Sequence, residues 1–153
     1  MSAIQGSEEW LLERVGYATS SEFHAILAKG QGKTRAAYLR RVVAERLTGK
    51  PMDGYKNAHM ERGVEQEPFA RMSYEGATGN LVEEVGFLKH PALMVGCSPD
   101  GLVGEDGGTE LKSVIPTVQL ETVLSGGYPS EHKPQVQGSL WLTGRKWWDF
   151  CSY

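Results

Sequence analysis

Asp100, Glu110 and Lys112 are the residues whose types and spacing could do chemistry together. They fall in the stretch Cys97 to Val114, C-S-P-D-G-L-V-G-E-D-G-G-T-E-L-K-S-V. Met94 and Val95 precede it, Leu111 and Val114 lie at its far end, and Asp-Gly and Gly-Gly turn signals stand between. The pattern predicts two short antiparallel strands joined by a tight polar loop. Side chains alternate along a strand, so Glu110 and Lys112 share one face and Leu111 points to the other. Asp100, where the first strand gives way to the turn, is within reach of that face. Two carboxylates and an amine at the edge of an apolar sheet are costly unless compensated, and the usual compensation is a divalent cation. The spacing therefore predicts a hairpin that holds a metal.

The whole chain sets the bounds on this reading. At 153 residues it is long enough for one domain with a real core, and 40% hydrophobic with 23% charged residues is ordinary for a soluble globular protein. No apolar run approaches a membrane span, and Met1-Ser2-Ala3-Ile4-Gln5 has no signal-peptide pattern, so the expected compartment is the cytoplasm. Cys97 and Cys151 make neither a disulfide framework nor a metal knuckle and read as buried free thiols. His24, His59, His90 and His132 show no ligand spacing, which argues against a zinc site. The net charge of −3 argues weakly against a nucleic-acid partner, but the average hides a division. Lys29, Lys33, Arg35, Arg40, Arg41, Arg46 and Lys50 are set against Glu45 alone, whereas acids prevail from Asp53 to Glu110. A basic segment facing an acidic metal site suits a phosphodiester; a solvated basic helix face is the plain alternative.

Several elements must position these residues. Ser7 to Glu13 reads as a short helix with acids in its first turn and Gly16 past its end. Thr19 and Glu22 have capping-box spacing for a second helix, with Phe23, Ile26 and Leu27 as its buried stripe. Hydroxyls and amides at such a start, with Arg14 close by, can bind an anion. The loop G-Q-G-K-T lacks the first glycine and the preceding strand of a phosphate-binding loop, so a nucleotide site is rejected. Thr34 to Thr48 is a helix with Tyr38, Leu39, Val42, Val43 and Leu47 on its apolar side and Gly49 beyond its end. Asn57 to Tyr74 is a second long helix, with Met60, Val64 and Met72 as core contacts and Pro68 bending or restarting it. Leu81 to Leu88 reads as a strand, and Met94 to Cys97 as the next. Pro116 opens a helix that Gly126-Gly127 closes. Glu131 to Thr143 forms another, with Gln135 able to face the sheet edge. Trp147, Phe150 and Tyr153 belong to a last strand, and there are no repeats.

These residues carry a resemblance. Pro99-Asp100 followed after nine residues by Glu110-Leu111-Lys112 resembles the P-D…E-x-K signature of a large nuclease superfamily. Arg14-x-Gly16…Thr19-x-Ser21, Arg62-Gly63…Glu67, Ser98-Pro99-Asp100-Gly101-Leu102 and Gln135-Val136-Gln137…Trp141 follow the order of the lambda exonuclease and viral recombinase (alkaline exonuclease) family, across nearly the whole chain. The resemblance implies an α/β fold with a restriction-endonuclease-like core, a central mixed β-sheet flanked by α-helices. It implies a DNA exonuclease working 5′ to 3′ from duplex ends with one or two Mg²⁺ ions, Mn²⁺ substituting. Asp100 and Glu110 then resemble metal ligands, with the Leu111 backbone carbonyl as a further one. Glu67, otherwise one more exposed acid, is similar to the family's helix acid near the metals, acting through water. Lys112 resembles the residue that orients and helps deprotonate the attacking water, and Gln135 the glutamine supporting the site. Arg14 and Ser21 resemble the pocket for the 5′-phosphate. A single-strand-annealing protein is an implied partner. In a relative three subunits form a ring. This chain stops at Cys151-Ser152-Tyr153, inside an expected strand where relatives continue. That leaves a homotrimer in doubt and reads as a single nuclease domain over 1–153 that is either minimal or C-terminally truncated.

The chemistry agrees independently, because hard cations prefer oxygen ligands and can activate water for phosphodiester hydrolysis. A lysine beside cations is expected to have a lowered pKa, which suits proton transfer near neutral pH. The alternatives are an endonuclease of the same fold, which would cut closed circular DNA, and a DNA-end-binding recombination partner without activity. Two cysteines exclude an iron–sulfur cluster with four thiolate ligands.

Overall fold

Glycines and prolines divide this chain into its elements. A computed structural model describes residues 3–52 and 58–153, and only the backbone at 58–62 and 64. Helix α1 (Glu8–Glu13) starts at Ser7, whose hydroxyl accepts from the Trp10 amide. Gly16, at φ +75°, turns the chain into strand β1 (Ala18–Thr19). A 3₁₀ turn over Ser20–Glu22 leads into the short helix α2 (Phe23–Ile26). Helix α3 (Lys33–Thr48) runs between two left-handed glycines, Gly32 and Gly49. Helix α4 (Ala58–Thr78) continues through Pro68 without a break. The expected contacts of Met60 and Val64, the Asn57 start and the Arg62 side chain lie outside what is described.

The mixed α/β architecture is the expected one, but its strands divide between two sheets. Strands β3 (Leu88–Lys89) and β4 (Val95–Cys97) form a three-stranded sheet with β1, in the order β1-β4-β3. Strands β2 (Val82–Glu83), β5 (Gly101–Val103), β6 (Gly107–Lys112) and β7 (Trp147–Ser152) form the other, in the order β2-β5-β6-β7. The single strand expected over Leu81 to Leu88 is thus two short ones in different sheets. Helix α5 (Pro116–Ser125) and helix α6 (Lys133–Thr143) connect β6 to β7, which run parallel.

The hairpin is also shifted. Its first strand is β5, not the Met94–Cys97 segment, because Pro99 has no amide to donate and ends β4's pairing. The Gly-Gly pair is not a turn but the start of β6. A Cβ on Gly107 would come 2.0 Å from the Trp147 ring, and one on Gly108 2.4 Å from the Trp148 ring. The turn itself is Gly104 to Asp106, clasped by Arg145, whose Nη1 donates to the carbonyls of Val103, Gly104 and Gly107.

Two apolar clusters hold the layers together. Ala70 and Tyr74 of α4 pack on Val103 and Leu111, with Val82 and Cys151 beside them. Ala25, Tyr38 and Val42 join α2 to α3. Only one of the two apolar stripes on α3 is used: Leu39, Val43 and Leu47 are exposed, Leu47 at 82%. Met72 and Leu27 are likewise exposed, and the Thr19 capping box does not form; Thr19 instead bonds Ser21 and Glu22 pairs with Arg41. Glu45, which the charge pattern marks only as a lone acid, is buried and accepts from the amides of Gly16 and Met52.

Candidate active site

Each catalytic candidate sits where local chain chemistry puts it. Pro99 is fully buried on the link between β4 and β5, and Asp100 follows it directly. The β5–β6 ladder ends at Gly101 opposite Thr109, so β6 has an open edge beyond that point. Asp100 Oδ2 accepts from the Leu111 amide there at 2.6 Å. A strand residue turns its N–H and C=O to the same side. The Leu111 carbonyl therefore faces the same opening.

Glu110 and Lys112 share a face, as strand alternation requires. Glu110 is 1% exposed, and its Oε1 accepts from Lys112 Nζ and, at 2.6 Å, from Gln135 Nε2. Gln135 reaches it because α6 lies close against the Ser20–Phe23 segment. A Cβ on Gly138 would meet the Phe23 ring at 2.5 Å, and Ser139 Oγ meets Ser20 Oγ at 3.3 Å. Glu67 projects from α4 towards the same place, with Arg71 Nη2 3.9 Å away; Arg71 also pairs with Glu84. Glu67, Arg71 and Asp100 line a cavity of about 240 Å³.

Burial pushes all three carboxyls up, alone for Asp100 and with the Asp100 charge added for Glu67 and for Glu110, which reaches about 7. Burial pulls the Lys112 ammonium down, but Glu110, Asp100 and Glu67 outweigh it and hold it above its ordinary value. The lowered lysine pKa expected beside cations is thus not a property of the protein groups alone. Glu110 Oε2 is buried with no hydrogen-bond partner among the described residues. A buried carboxylate oxygen without a donor is a costly feature that a cation would relieve. The groups placed to ligate an ion beside it, the Asp100 and Glu110 carboxylates and the Leu111 carbonyl, offer oxygen, which fits Mg²⁺ or Mn²⁺. Among the described residues no three His, Cys, Asp or Glu side chains are placed to hold an ion by themselves. A cation here would draw on Asp100, Glu110, the Leu111 carbonyl and water, with Glu67 behind the water.

A stability prediction follows from these shifts. A carboxyl whose pKa is raised by folding contributes stability that is complete below its unfolded pKa and lost as pH rises through the folded value. Metal-free protein is therefore expected to lose melting temperature between about pH 4.5 and 7, the span of Glu110. Added Mg²⁺ is expected to restore it. A melting temperature that rises over that span without metal would contradict the raised carboxyl.

Arg14 and Ser21 stand apart from this centre. Arg14 stacks on Trp10, its guanidinium carbon 4.0 Å from the ring centroid, and lines a separate small cavity with Thr19 and Arg41. Ser21 is exposed and bonds Thr19 Oγ1 at 3.2 Å. The link to the metal side is Trp10, whose Nε1 donates to Ser98 Oγ at 3.0 Å, two residues from Asp100. Three arginines of the basic segment serve the fold: Arg46 holds the Gly16 carbonyl, Arg35 that of Ala28, and Arg41 pairs with Glu22. Sequence reasoning missed Arg71, though its place one helical turn after Glu67 was a signal. It also missed Tyr128 and His132, which flank the site against Phe150; their pKa values respond to burial first and then to Glu110 and Lys112 respectively.

The fold is that of a nuclease with a restriction-endonuclease-like core. The chain belongs to the YqaJ-like viral recombinase domain family, whose profile matches residues 9–146. It is similar to the alkaline exonuclease LHK-Exo of Laribacter hongkongensis, with 39% identity and a TM-score of 0.88 over 96% of this chain and 74% of that one. The same figures hold for LHK-Exo solved in complex with dAMP. A phage-related exonuclease from Haemophilus somnus 129PT shares the fold, with 16% identity and a TM-score of 0.63 over 90% of this chain and 68% of that one. Among curated proteins none matches. No helix among the described residues is long and apolar enough to cross a membrane.

Proposed function

We propose that this DNA exonuclease is Mg²⁺- or Mn²⁺-dependent and degrades duplex ends 5′ to 3′ in the cytoplasm of a phage-infected bacterium. The buried, unpartnered Glu110 Oε2 beside Asp100 and Lys112 carries the reading. A divalent cation, when bound, supplies charge stabilisation at the phosphoryl oxygens and a more acidic water. Asp100, Glu110 and the Leu111 carbonyl would hold it, and Glu67 would act beside them through water. Lys112 Nζ orients the attacking water and takes part in removing its proton. Gln135 keeps Glu110 Oε1 in place. The water oxygen bonds to phosphorus, the bond from phosphorus to O3′ breaks, and O3′ takes up a proton. A 5′-mononucleotide leaves, the chemical form of the dAMP held by LHK-Exo. The new end again carries a 5′-phosphate. The strand left behind is a substrate for a single-strand-annealing protein.

Linear duplex labelled at its 5′ ends is expected to be digested with Mg²⁺ and untouched with EDTA, while closed circular DNA survives. Cleavage of closed circles at a comparable rate would favour an endonuclease. Arg14, with Ser21, is assigned to the terminal phosphate, which carries more charge than an internal diester and gains more from a guanidinium. A charge-assisted hydrogen bond is worth on the order of 1–3 kcal/mol, so hydroxyl ends should be degraded about 10- to 100-fold more slowly. Arg14→Ala should bring phosphorylated ends down towards the hydroxyl rate. If the variant keeps the preference, Arg14 serves only its stack on Trp10.

A further inference from the structure

We propose that Gln5 is a positioning residue of the metal site, fixing the peptide from which Asp100 reaches the cation. The inference rests on the metal reading above. Gln5 Nε2 donates to the Pro99 carbonyl at 2.6 Å and to the Val85 carbonyl at 3.2 Å. One amide group thereby ties together the β2–β3 link and the β4–β5 link, neither of which has ladder partners at those positions. Pro99 is fully buried and has no N–H, so its carbonyl is its only backbone polar group. That carbonyl and the Asp100 amide belong to one planar peptide unit. Holding the carbonyl oxygen therefore holds the plane from which the Asp100 Cα departs. The other end of Asp100 is fixed by the Leu111 amide on Oδ2, leaving Oδ1 for the cation. Trp10 Nε1 on Ser98 Oγ braces the same link one residue earlier. Residues 3–5 also line the cavity that contains Glu67 and Asp100, so this N-terminal stretch is a wall of the site and not a distant tether.

Groups that orient a metal ligand typically change affinity by about 10- to 100-fold when removed. Binding of Mn²⁺ to the full chain, measured without DNA, tests this for wild type, Gln5→Ala, Gln5→Met and Asp100→Asn. Gln5→Met keeps the length of the side chain and removes its amide, the donors included. Both Gln5 variants are expected to bind Mn²⁺ about 10-fold more weakly or worse, with metal-free melting close to wild type. They should also need more Mg²⁺ for half-maximal digestion while the rate at saturating metal recovers. Unchanged Mn²⁺ affinity in the Gln5 variants, beside a clear loss in Asp100→Asn, would overturn the role of Gln5 alone. Loss of the fold in both Gln5 variants would also overturn it, making Gln5 a folding residue. Wild type that binds no Mn²⁺, or Asp100→Asn that binds as well as wild type, would overturn the metal site and this inference together.

Discussion

Asp100→Asn and Glu110→Gln are each expected to lower the digestion rate by about 10³-fold or more, with the protein still folded. Metal-borne stabilisation of a phosphoryl transition state is worth several kcal/mol, and about 4 kcal/mol corresponds to roughly 10³-fold. An amide keeps the shape of the side chain but loses the charge that draws a divalent ion. The two substitutions differ in what else they disturb. The side-chain amide of Asp100→Asn would still offer an oxygen to the Leu111 N–H, so the local backbone should hold. Glu110→Gln removes a buried carboxyl whose pKa sits at about 7. Its metal-free form should therefore melt higher than wild type above neutral pH, where the wild-type carboxylate is ionised. Digestion rate, Mn²⁺ binding and melting at two pH values test this together. Full turnover by Asp100→Asn in Mg²⁺ would sink the metal-site assignment.

Lys112→Ala is expected to lose about 10²- to 10⁴-fold in the chemical step, the usual size of a lost proton-transfer group. DNA binding should fall by less than about tenfold, because one phosphate contact among several is a small share of the electrostatic affinity. Lys112→Arg should not rescue the rate, since a guanidinium stays protonated and cannot accept a proton from water. Single-turnover rates measured beside a binding isotherm at fixed salt separate the two effects. Equal losses in rate and affinity would make Lys112 a phosphate clamp. Removing the amine also takes a positive charge from Glu110 and Asp100, so the metal-free carboxyls should hold their protons to higher pH.

Legibility in the sequence tracked how local the cause was. Strand alternation alone placed Glu110 and Lys112 on one face, and the contact between Lys112 Nζ and Glu110 Oε1 follows from two-residue periodicity. Helix ends at Ser7, Gly49, Gly126 and Gly144 were equally local, because capping and left-handed backbone depend on one or two residues. The ordered motifs marked the family; they also singled out Glu67 and Gln135 as candidates, which no local signal distinguishes from other polar residues.

What the sequence by itself determined was therefore the residue types of the candidate site, their spacing along the chain and the α/β class of the fold. Only the tertiary structure decided which segments pair. Gly107 and Gly108 read as a turn until Trp147 and Trp148 from a strand some forty residues on lie against them. Likewise α3 carries two apolar stripes, and which one is buried depends on where α2 stands. The Asp100 geometry is of the same kind: it depends on a proline that ends one strand, an amide on β6 and a glutamine near the N-terminus, which only the fold brings together. Burial is the physical reason behind all three. It depends on contacts far apart in sequence, and it raises the carboxyl pKa values, leaves Glu110 Oε2 without a donor and makes three ordinary acids a site.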